Sequence, residues 1–266
     1  MALLAWVDPR STTFQRSELW RLLCPLDGFA RTLRRFADEG GRGCNVTTPF
    51  KQEAFTLVDA PTPRARRAGV CNTLRLDAGR WIGDNTDGIG LLRDIERNAG
   101  VQLAGKRVLL IGAGGAAAGV LGPLLDAGPA RLVVANRSPQ KACSLVQEQA
   151  GTSAARPTGA EVAATGLGDC GSGYDVVINA TTSSLQGATV PVADGVLAPG
   201  ALAIDLMYGP PARPFLAWAR GRGASARDGL GMLVEQAAEA FELFRGVAPD
   251  TAPVLAELSQ RLAAVA

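Results

Sequence analysis

The sequence predicts an α/β protein in two domains, one an open α/β layer and the other a doubly wound parallel sheet. Three observations lead there. The wholly apolar run Val108-Leu109-Leu110-Ile111 enters a glycine-rich turn and then a small-residue helix, as a strand buried on both faces does in a parallel sheet. Further apolar runs at Arg131–Ala135, Tyr174–Asn179 and Ala201–Tyr208 alternate with helical stretches. Upstream of all these lies a hairpin pattern, followed by Asp84-Asn85-Thr86-Asp87-Gly88 and a helix. That helix is expected to link the two domains.

Composition narrows the function. The chain has 266 residues, 47% of them hydrophobic and 20% charged, enough to bury a real core. The net charge of +2 comes without a basic run, and no aromatic RNA-binding motif occurs, so nucleic acid is not an expected partner. No apolar run reaches membrane-spanning length, and no basic-then-apolar leader precedes a cleavage site, so a cytoplasmic protein is expected. The five cysteines, Cys24, Cys44, Cys71, Cys143 and Cys170, are scattered and read as reduced, buried small residues. Histidine is absent altogether. That excludes histidine triads and a histidine base, so proton transfer falls to Lys, Tyr, Cys or a carboxylate.

Taken in order, Met1–Val7 is a short apolar piece, Asp8–Ser17 is polar and loop-like, and Trp20–Leu23 reads as a strand. Asp27 is placed to cap a helix carrying Phe29, Leu33 and Phe36, ended by Gly40-Gly41. Gly43-Cys44-Asn45-Val46-Thr47-Thr48-Pro49-Phe50-Lys51 reads as a brief strand with polar groups gathered at its end, where parallel strands place ligands. Turn chemistry is the commoner use of Asn45 and Thr47. After a helical segment, Ala68–Leu76 and Arg80–Gly83 form a hairpin closed through Asp77-Ala78-Gly79. Asp87 then opens the pattern Ile89, Leu91, Leu92, Ile95, and on local sequence it reads as the N-cap.

The turn Gly112-Ala113-Gly114-Gly115-Ala116-Ala117 fits the G-x-G-x-x-G/A dinucleotide fingerprint of a Rossmann-type domain. Gly112 and Gly114 permit a tight turn and close approach to a diphosphate, and the following helix offers free N–H groups to an anion. About twenty residues on, an NAD site usually carries an acid for the ribose 2′-hydroxyl. Here the strand ends in Asn136-Arg137-Ser138, with arginine and no acid, which favours a 2′-phosphate and so NADP. Lys141 sits in the first turn of the next helix, against its dipole, unless an anion lies near. Only three of the 27 basic residues are lysines: Lys51, Lys106 and Lys141. Pro123 falls inside the first nucleotide-domain helix, where a kink is expected. Asp228-Gly229 begins a helix with an apolar stripe of Leu230, Leu233, Val234, Ala237, Phe241 and Phe244. Gln236 stands off that stripe, free to reach a ligand. A last helix covers roughly Thr251–Ala264, and no internal repeat occurs.

Taken together, Asn45–Lys51, Cys71-Asn72-Thr73, Gly83–Gly88, Gly112–Ala116, Asn136–Ser138 and Asp228–Leu233 resemble the shikimate dehydrogenase family. The resemblance runs from about Trp20 to the C-terminus. It implies an NADP-dependent, reversible reduction of 3-dehydroshikimate to shikimate, on the route to aromatic amino acids. By motif position, Lys51 and Asp87 are the catalytic pair. Asn45, Thr47, Asn72, Tyr208 and Gln236 match substrate-lining positions. Gly112, Ala113, Gly114, Gly115 and Ala116 match the dinucleotide loop, Asn136, Arg137 and Lys141 the 2′-phosphate clamp, and Leu206 and Gly229 positions beside the nicotinamide. The family often has methionine in place of Leu206. Reduction of a ketone leaves an alkoxide that needs a proton and a nearby positive charge; Lys51 can supply both, with Asp87 holding and orienting it. The expected division is a substrate domain at residues 1–87, an NADP domain at 88–229, and helices at 230–266 returning to the substrate domain. A homodimer is left open.

The sequence departs from the family at its beginning. The family's first strand, its Gly-Asn-Pro-type turn and its Ser-x-Ser motif, which holds the substrate carboxylate, are missing. Met1–Val7 resembles the remains of the first helix, and Ser11 and Ser17 stand in the wrong places to serve. A start codon further upstream is the expectation. The departure leaves two alternatives, a paralogue acting on quinate or a related cyclic acid, and a non-catalytic NADP-binding protein.

Overall fold

A computed structural model describes residues 2–6, 20–23, 28–152, 159–183 and 192–264. Asp27, Ser11, Ser17 and Cys24 lie outside the described residues. Two six-stranded sheets carry the fold.

The first sheet is built from β1 (Ala2–Trp6), β2 (Trp20–Leu23), β3 (Gly43–Asn45), β4 (Ala60–Pro61), β5 (Thr73–Asp77) and β6 (Arg80–Asp84), in the order β2-β1-β3-β5-β6-β4. Helices α1 (Phe29–Asp38), α2 (Lys51–Leu57) and α3 (Pro63–Ala68) connect them. Residues expected as the remains of a helix are therefore the strand β1. It pairs antiparallel with both β2 and β3, which gives backbone partners to all three, something a short isolated helix could not do. β3 is antiparallel to β5 as well, so its polar end is not the end of a parallel strand. The cluster forms because Asn45 and Thr73 stand opposite each other. The expected hairpin forms, but its first strand begins at Thr73 and not at Ala68, which ends α3 ahead of a left-handed Gly69; Ala78 and Gly79 are left-handed in the turn. α1 buries Phe29, Leu33 and Phe36, and Phe29 stacks on Phe50 at 5.1 Å.

The second sheet has β7 (Arg107–Ile111), β8 (Arg131–Asn136), β9 (Glu161–Gly166), β10 (Tyr174–Asn179), β11 (Leu197–Asp205) and β12 (Ser225–Arg227), in the order β12-β11-β10-β7-β8-β9. Every pairing is parallel. α4 (Asp87–Arg93) precedes β7; α5 (Gly115–Asp126), α6 (Pro139–Thr152) and α7 (Arg213–Arg220) run between the strands, followed by α8 (Leu230–Arg245) and α9 (Ala252–Ala264). Val108 and Leu110 enter one core, Leu109 and Ile111 the other, the alternation of a strand covered on both faces. Strand order reverses between β7 and β10, and the carboxyl ends there form the crevice where such sheets bind ligands.

Several expectations change. β11 ends at Asp205, not Tyr208, because the Asp205 carboxylate accepts from Met207 N and starts a turn. The edge strands β9 and β12 escaped the sequence reading. Pro123 does lie inside α5, as expected; the Gly119 carbonyl oxygen, four residues before it, and the proline ring both lie against Gly88 of α4. On α8 the buried residues are Leu230, Gly231, Met232, Val234, Glu235, Ala238 and Ala240, while Ala237 is exposed and Phe241 is 41% exposed. Of the expected stripe, Leu230 and Val234 are buried and Leu233 half-buried, but Ala237 and Phe241 turn outward because α8 packs on α4 through its small residues: a Cβ on Gly231 would stand 1.8 Å from Oδ1 of Asp94, the residue after α4. Of the four described cysteines, all free, Cys143 is exposed on α6 and only Cys44, Cys71 and Cys170 are buried.

Candidate functional site

The site gathers around two helix beginnings. Lys51 is the first residue of α2 and Asp87 the first of α4. Lysine opposes the dipole at that position and aspartate suits it, so the two charges compensate when they meet. Lys51 Nζ lies 2.6 Å from Asp87 Oδ2. Lys51 is 9% exposed and Asp87 0%. The expected N-cap role of Asp87 does not hold: Thr86 is the N-cap residue, without a side-chain cap bond. The carboxylate is drawn to Lys51 and to Asn72, whose Nδ2 donates to Asp87 Oδ1 at 2.9 Å. Asn85 Oδ1 accepts from Asp87 N instead.

Asn72 is the hub. Its amine also donates to Gln236 Oε1 at 2.8 Å and Thr86 Oγ1 at 2.9 Å. Its oxygen accepts from Thr86 N at 2.8 Å. Gln236, on α8, is thus brought to Asn72 across 164 positions of chain. Asn45 joins through Thr73, to whose Oγ1 its Nδ2 donates at 3.0 Å. Thr47 is exposed and contributes its carbonyl to the turn before α2, and Tyr208 is 44% exposed beyond β11. Neither side chain bonds to the cluster. Asn85, Thr86 and Thr73, all buried, complete the cluster, and their signal in the sequence is membership of the same short motifs as Asn72 and Asp87.

The glycine turn lies beside this cluster. Gly112 has φ +113°, and a Cβ there would meet the Ala180 carbonyl at 3.1 Å, so glycine is required by conformation and by space. Gly114, exposed, has open space where a Cβ would be, while Ala113, Gly115 and Ala116 are half-buried at the start of α5. The first turn of α5 therefore presents unpaired N–H groups to an open cradle, the donor set a diphosphate needs. From Gly115 a Cβ would come within 3.8 Å of Lys51 Cβ, and from Gly119 within 2.9 Å of Asp87 Oδ2. One helix thus touches both the anion cradle and the Lys51–Asp87 pair.

At the end of β8, Asn136 Nδ2 donates to the Ser138 carbonyl at 3.0 Å. Arg137 and Lys141 are exposed there, and among the described residues neither forms an ion pair. Two free cations with no acid fit a 2′-phosphate. Gly229 packs on Leu206, where a Cβ would stand 2.4 Å from its carbonyl oxygen, and Gly229 N donates to Met207 O. Behind the site, Arg64 binds Asp84 with two nitrogens, at 2.6 and 2.7 Å, and Glu239 with the third at 2.7 Å; Arg93 holds the other oxygen of Glu239. Burial pushes the Cys44 and Cys71 thiols up to about 12, so neither serves as a nucleophile near neutral pH. Among the described residues no group of three His, Cys, Asp or Glu side chains could hold a metal.

Three family models match the chain: the shikimate dehydrogenase substrate binding domain over residues 15–74, shikimate/quinate 5-dehydrogenase over 94–191, and the shikimate 5′-dehydrogenase C-terminal domain over 229–258. The shikimate dehydrogenase (NADP(+)) of Methylibium petroleiphilum is 61% identical over 244 residues, 90% of this chain and 82% of that protein. Among solved structures, an Ael1 enzyme from Pseudomonas putida aligns with a TM-score of 0.77 and 45% identity, covering 88% of this chain and 84% of the other. The shikimate 5-dehydrogenase of Thermus thermophilus, crystallised with NADP(H) and shikimate, aligns with a TM-score of 0.72 and 30% identity, covering 90% and 85%.

Proposed function

The chain belongs to the shikimate dehydrogenase family, and on that premise we propose that Lys51 and Asp87 carry the proton of an NADP-dependent, reversible reduction of 3-dehydroshikimate to shikimate. The observation that carries this reading is the buried 2.6 Å pair of Lys51 and Asp87 set against Gly115 and Gly119 of the nucleotide helix.

When bound, NADPH supplies a hydride to the carbonyl carbon. The chain's own groups do the rest. As negative charge gathers on the substrate oxygen, Lys51 Nζ faces it with a positive charge and donates a proton; in reverse the proton returns to the same atom. Asp87 fixes the ammonium and is itself fixed by Asn72. Asn45, Thr47, Asn72, Tyr208 and Gln236 take the substrate's oxygens. Gly112, Ala113, Gly114, Gly115, Ala116 and the α5 N-terminus would hold the diphosphate, Asn136, Arg137 and Lys141 the 2′-phosphate, and Leu206 and Gly229 the nicotinamide side. On this reading the substrate domain is residues 1–87, the NADP domain 88–229, and 230–266 return to the substrate domain. The enzyme serves aromatic amino acid biosynthesis in the cytoplasm, and a homodimer is the assembly to test by light scattering. No helix among the described residues is long and apolar enough to cross a membrane.

The test follows NADPH formation from NADP⁺ with shikimate, beside quinate and NAD⁺. Turnover with shikimate that vanishes in Lys51→Ala, while NADPH still binds, supports the assignment. Preferred turnover of quinate makes the chain a paralogue, and NADPH binding without any turnover makes it a binding protein.

A further inference from the structure

Thr73 is buried, 1% exposed, at the first position of β5, opposite Asn45 on β3. Opposed residues of antiparallel strands point to one face, and here the pair is bonded: Asn45 Nδ2 donates to Thr73 Oγ1 at 3.0 Å. An amide nitrogen can only donate, so the threonine oxygen is the acceptor and its single proton is free to go elsewhere. It goes to Asn72 Oδ1, at 2.9 Å. The backbone N–H of Thr86, also only a donor, meets the same oxygen at 2.8 Å. With its oxygen held by these donors, Asn72 has its amine left to face Asp87 Oδ1 at 2.9 Å, Gln236 Oε1 at 2.8 Å and Thr86 Oγ1 at 2.9 Å. The second oxygen of Asp87 holds Lys51. Donors therefore run in one direction, from Asn45 through Thr73 and Asn72 to the carboxylate beside the lysine.

We propose that Thr73 is a positioning residue for the reaction: its hydroxyl joins the substrate-lining Asn45 to Asn72 and so holds the Asn72 amine on Asp87, which in turn fixes Lys51. Both hydrogen bonds of the Thr73 hydroxyl are made within the protein, to Asn45 and Asn72, so its part is to position. The proposal rests on the shikimate dehydrogenase reading of the same site.

Valine keeps the shape of threonine without its hydroxyl, so Thr73→Val leaves the Asn45 amine only its 3.4 Å contact to the Asn72 carbonyl and removes one of the donors that hold the Asn72 side-chain oxygen. Loss of one neutral hydrogen bond that orients a reacting group predicts a fall in kcat for shikimate oxidation of about tenfold, with KM for NADP⁺ within about twofold of the wild type. Thr73→Ser, which restores the hydroxyl, returns kcat to within about twofold. In an Asn72→Ala background, Thr73→Val costs nothing further, since the amide it orients is gone. NADPH-binding stoichiometry serves as the check of folding, and Thr73→Cys takes the place of the valine variant if that one fails to bind. A hydroxyl-free variant with wild-type kcat, a serine variant as impaired as valine, or costs that simply add to Asn72→Ala each overturns the proposal. The outcome for the underlying reading is separate, because it is decided by whether the wild-type chain turns over shikimate at all.

Discussion

Gly90 of α4 and Gln236 of α8 touch backbone to side chain: a Cβ at position 90 would stand 2.7 Å from both Cβ and N of Gln236. The contact sets how deeply α8 seats, and so whether the Gln236 amide reaches Asn72. Gly90→Ala forces the helices apart, an overpacking that costs about 1–3 kcal/mol. KM for shikimate is expected to rise about tenfold as Gln236 leaves its place, while KM for NADP⁺ holds. Urea unfolding and steady-state kinetics check the two parts. An unchanged KM in a destabilised variant would mean that Gln236 does not serve the substrate.

The Lys51–Asp87 pair makes a second prediction, on stability. With side chains 11% and 1% exposed, removing one partner leaves a buried charge uncompensated, which costs about 3–5 kcal/mol. Asn72 still donates to Asp87, so Lys51→Met is expected near the lower end of that range. The double variant Lys51→Met with Asp87→Asn is expected to be more stable than Lys51→Met alone, because no charge remains to be buried. Urea midpoints of Lys51→Met, Asp87→Asn and the double variant test this, and strictly additive costs would show that the two charges do not depend on each other.

The parts of this site that could be read from sequence are those carried by contiguous residues. Gly112–Ala116 is legible because a tight turn and close packing need particular residues in a row, and β7 because an apolar run covered on both faces has no alternation to confuse it. Lys51 was singled out by scarcity, in a chain rich in arginine. What could not be read was decided across distance. Local sequence makes Asp87 a cap; a lysine 36 residues away takes its carboxylate instead. The α8 stripe looked apolar at Phe241, but the buried face was chosen by where Gly231 and Gly90 let α4 and α8 meet. β1 has its place only through partners on either side, and β9 and β12 lie at sheet edges, where few residues need be apolar. Asn45 and Thr73 form one feature only once β3 and β5 are in register.

A third prediction concerns acid. Burial pushes the Asp84 carboxyl up, but the Arg64 guanidinium and the Thr62 hydroxyl outweigh it and hold the group below its ordinary 3.8. A carboxyl depressed on folding adds stability that is fully present above the unfolded value and is lost as pH falls through the folded one. Wild type and Asp84→Asn are therefore expected to differ most at neutral pH and to converge below about pH 3. Urea unfolding of both proteins across that range is the measurement. A gap that stays constant with pH would mean that the carboxylate's charge contributes nothing, and that the Thr62 and Arg64 contacts are equally good with an amide.

The last prediction separates the two dinucleotides. Arg137 and Lys141 stand exposed at the end of β8 without acidic partners among the described residues, and the Asn136 amide is turned inward to the Ser138 carbonyl. If the cations meet a 2′-phosphate, Arg137→Ala removes charge-assisted hydrogen bonds worth about 1.5–3 kcal/mol, a rise of about 10- to 100-fold in KM for NADP⁺. KM for NAD⁺, which lacks that phosphate, should not move. Lys141→Ala is expected to do less, because an ammonium acts as a point charge where the guanidinium binds through a planar fork. Both effects should shrink as salt is raised, since exposed charges are screened over about 8 Å at physiological ionic strength. A parallel loss for NAD⁺ and NADP⁺ would place these residues under the shared part of the dinucleotide, and the choice of NADP would then have to be made elsewhere.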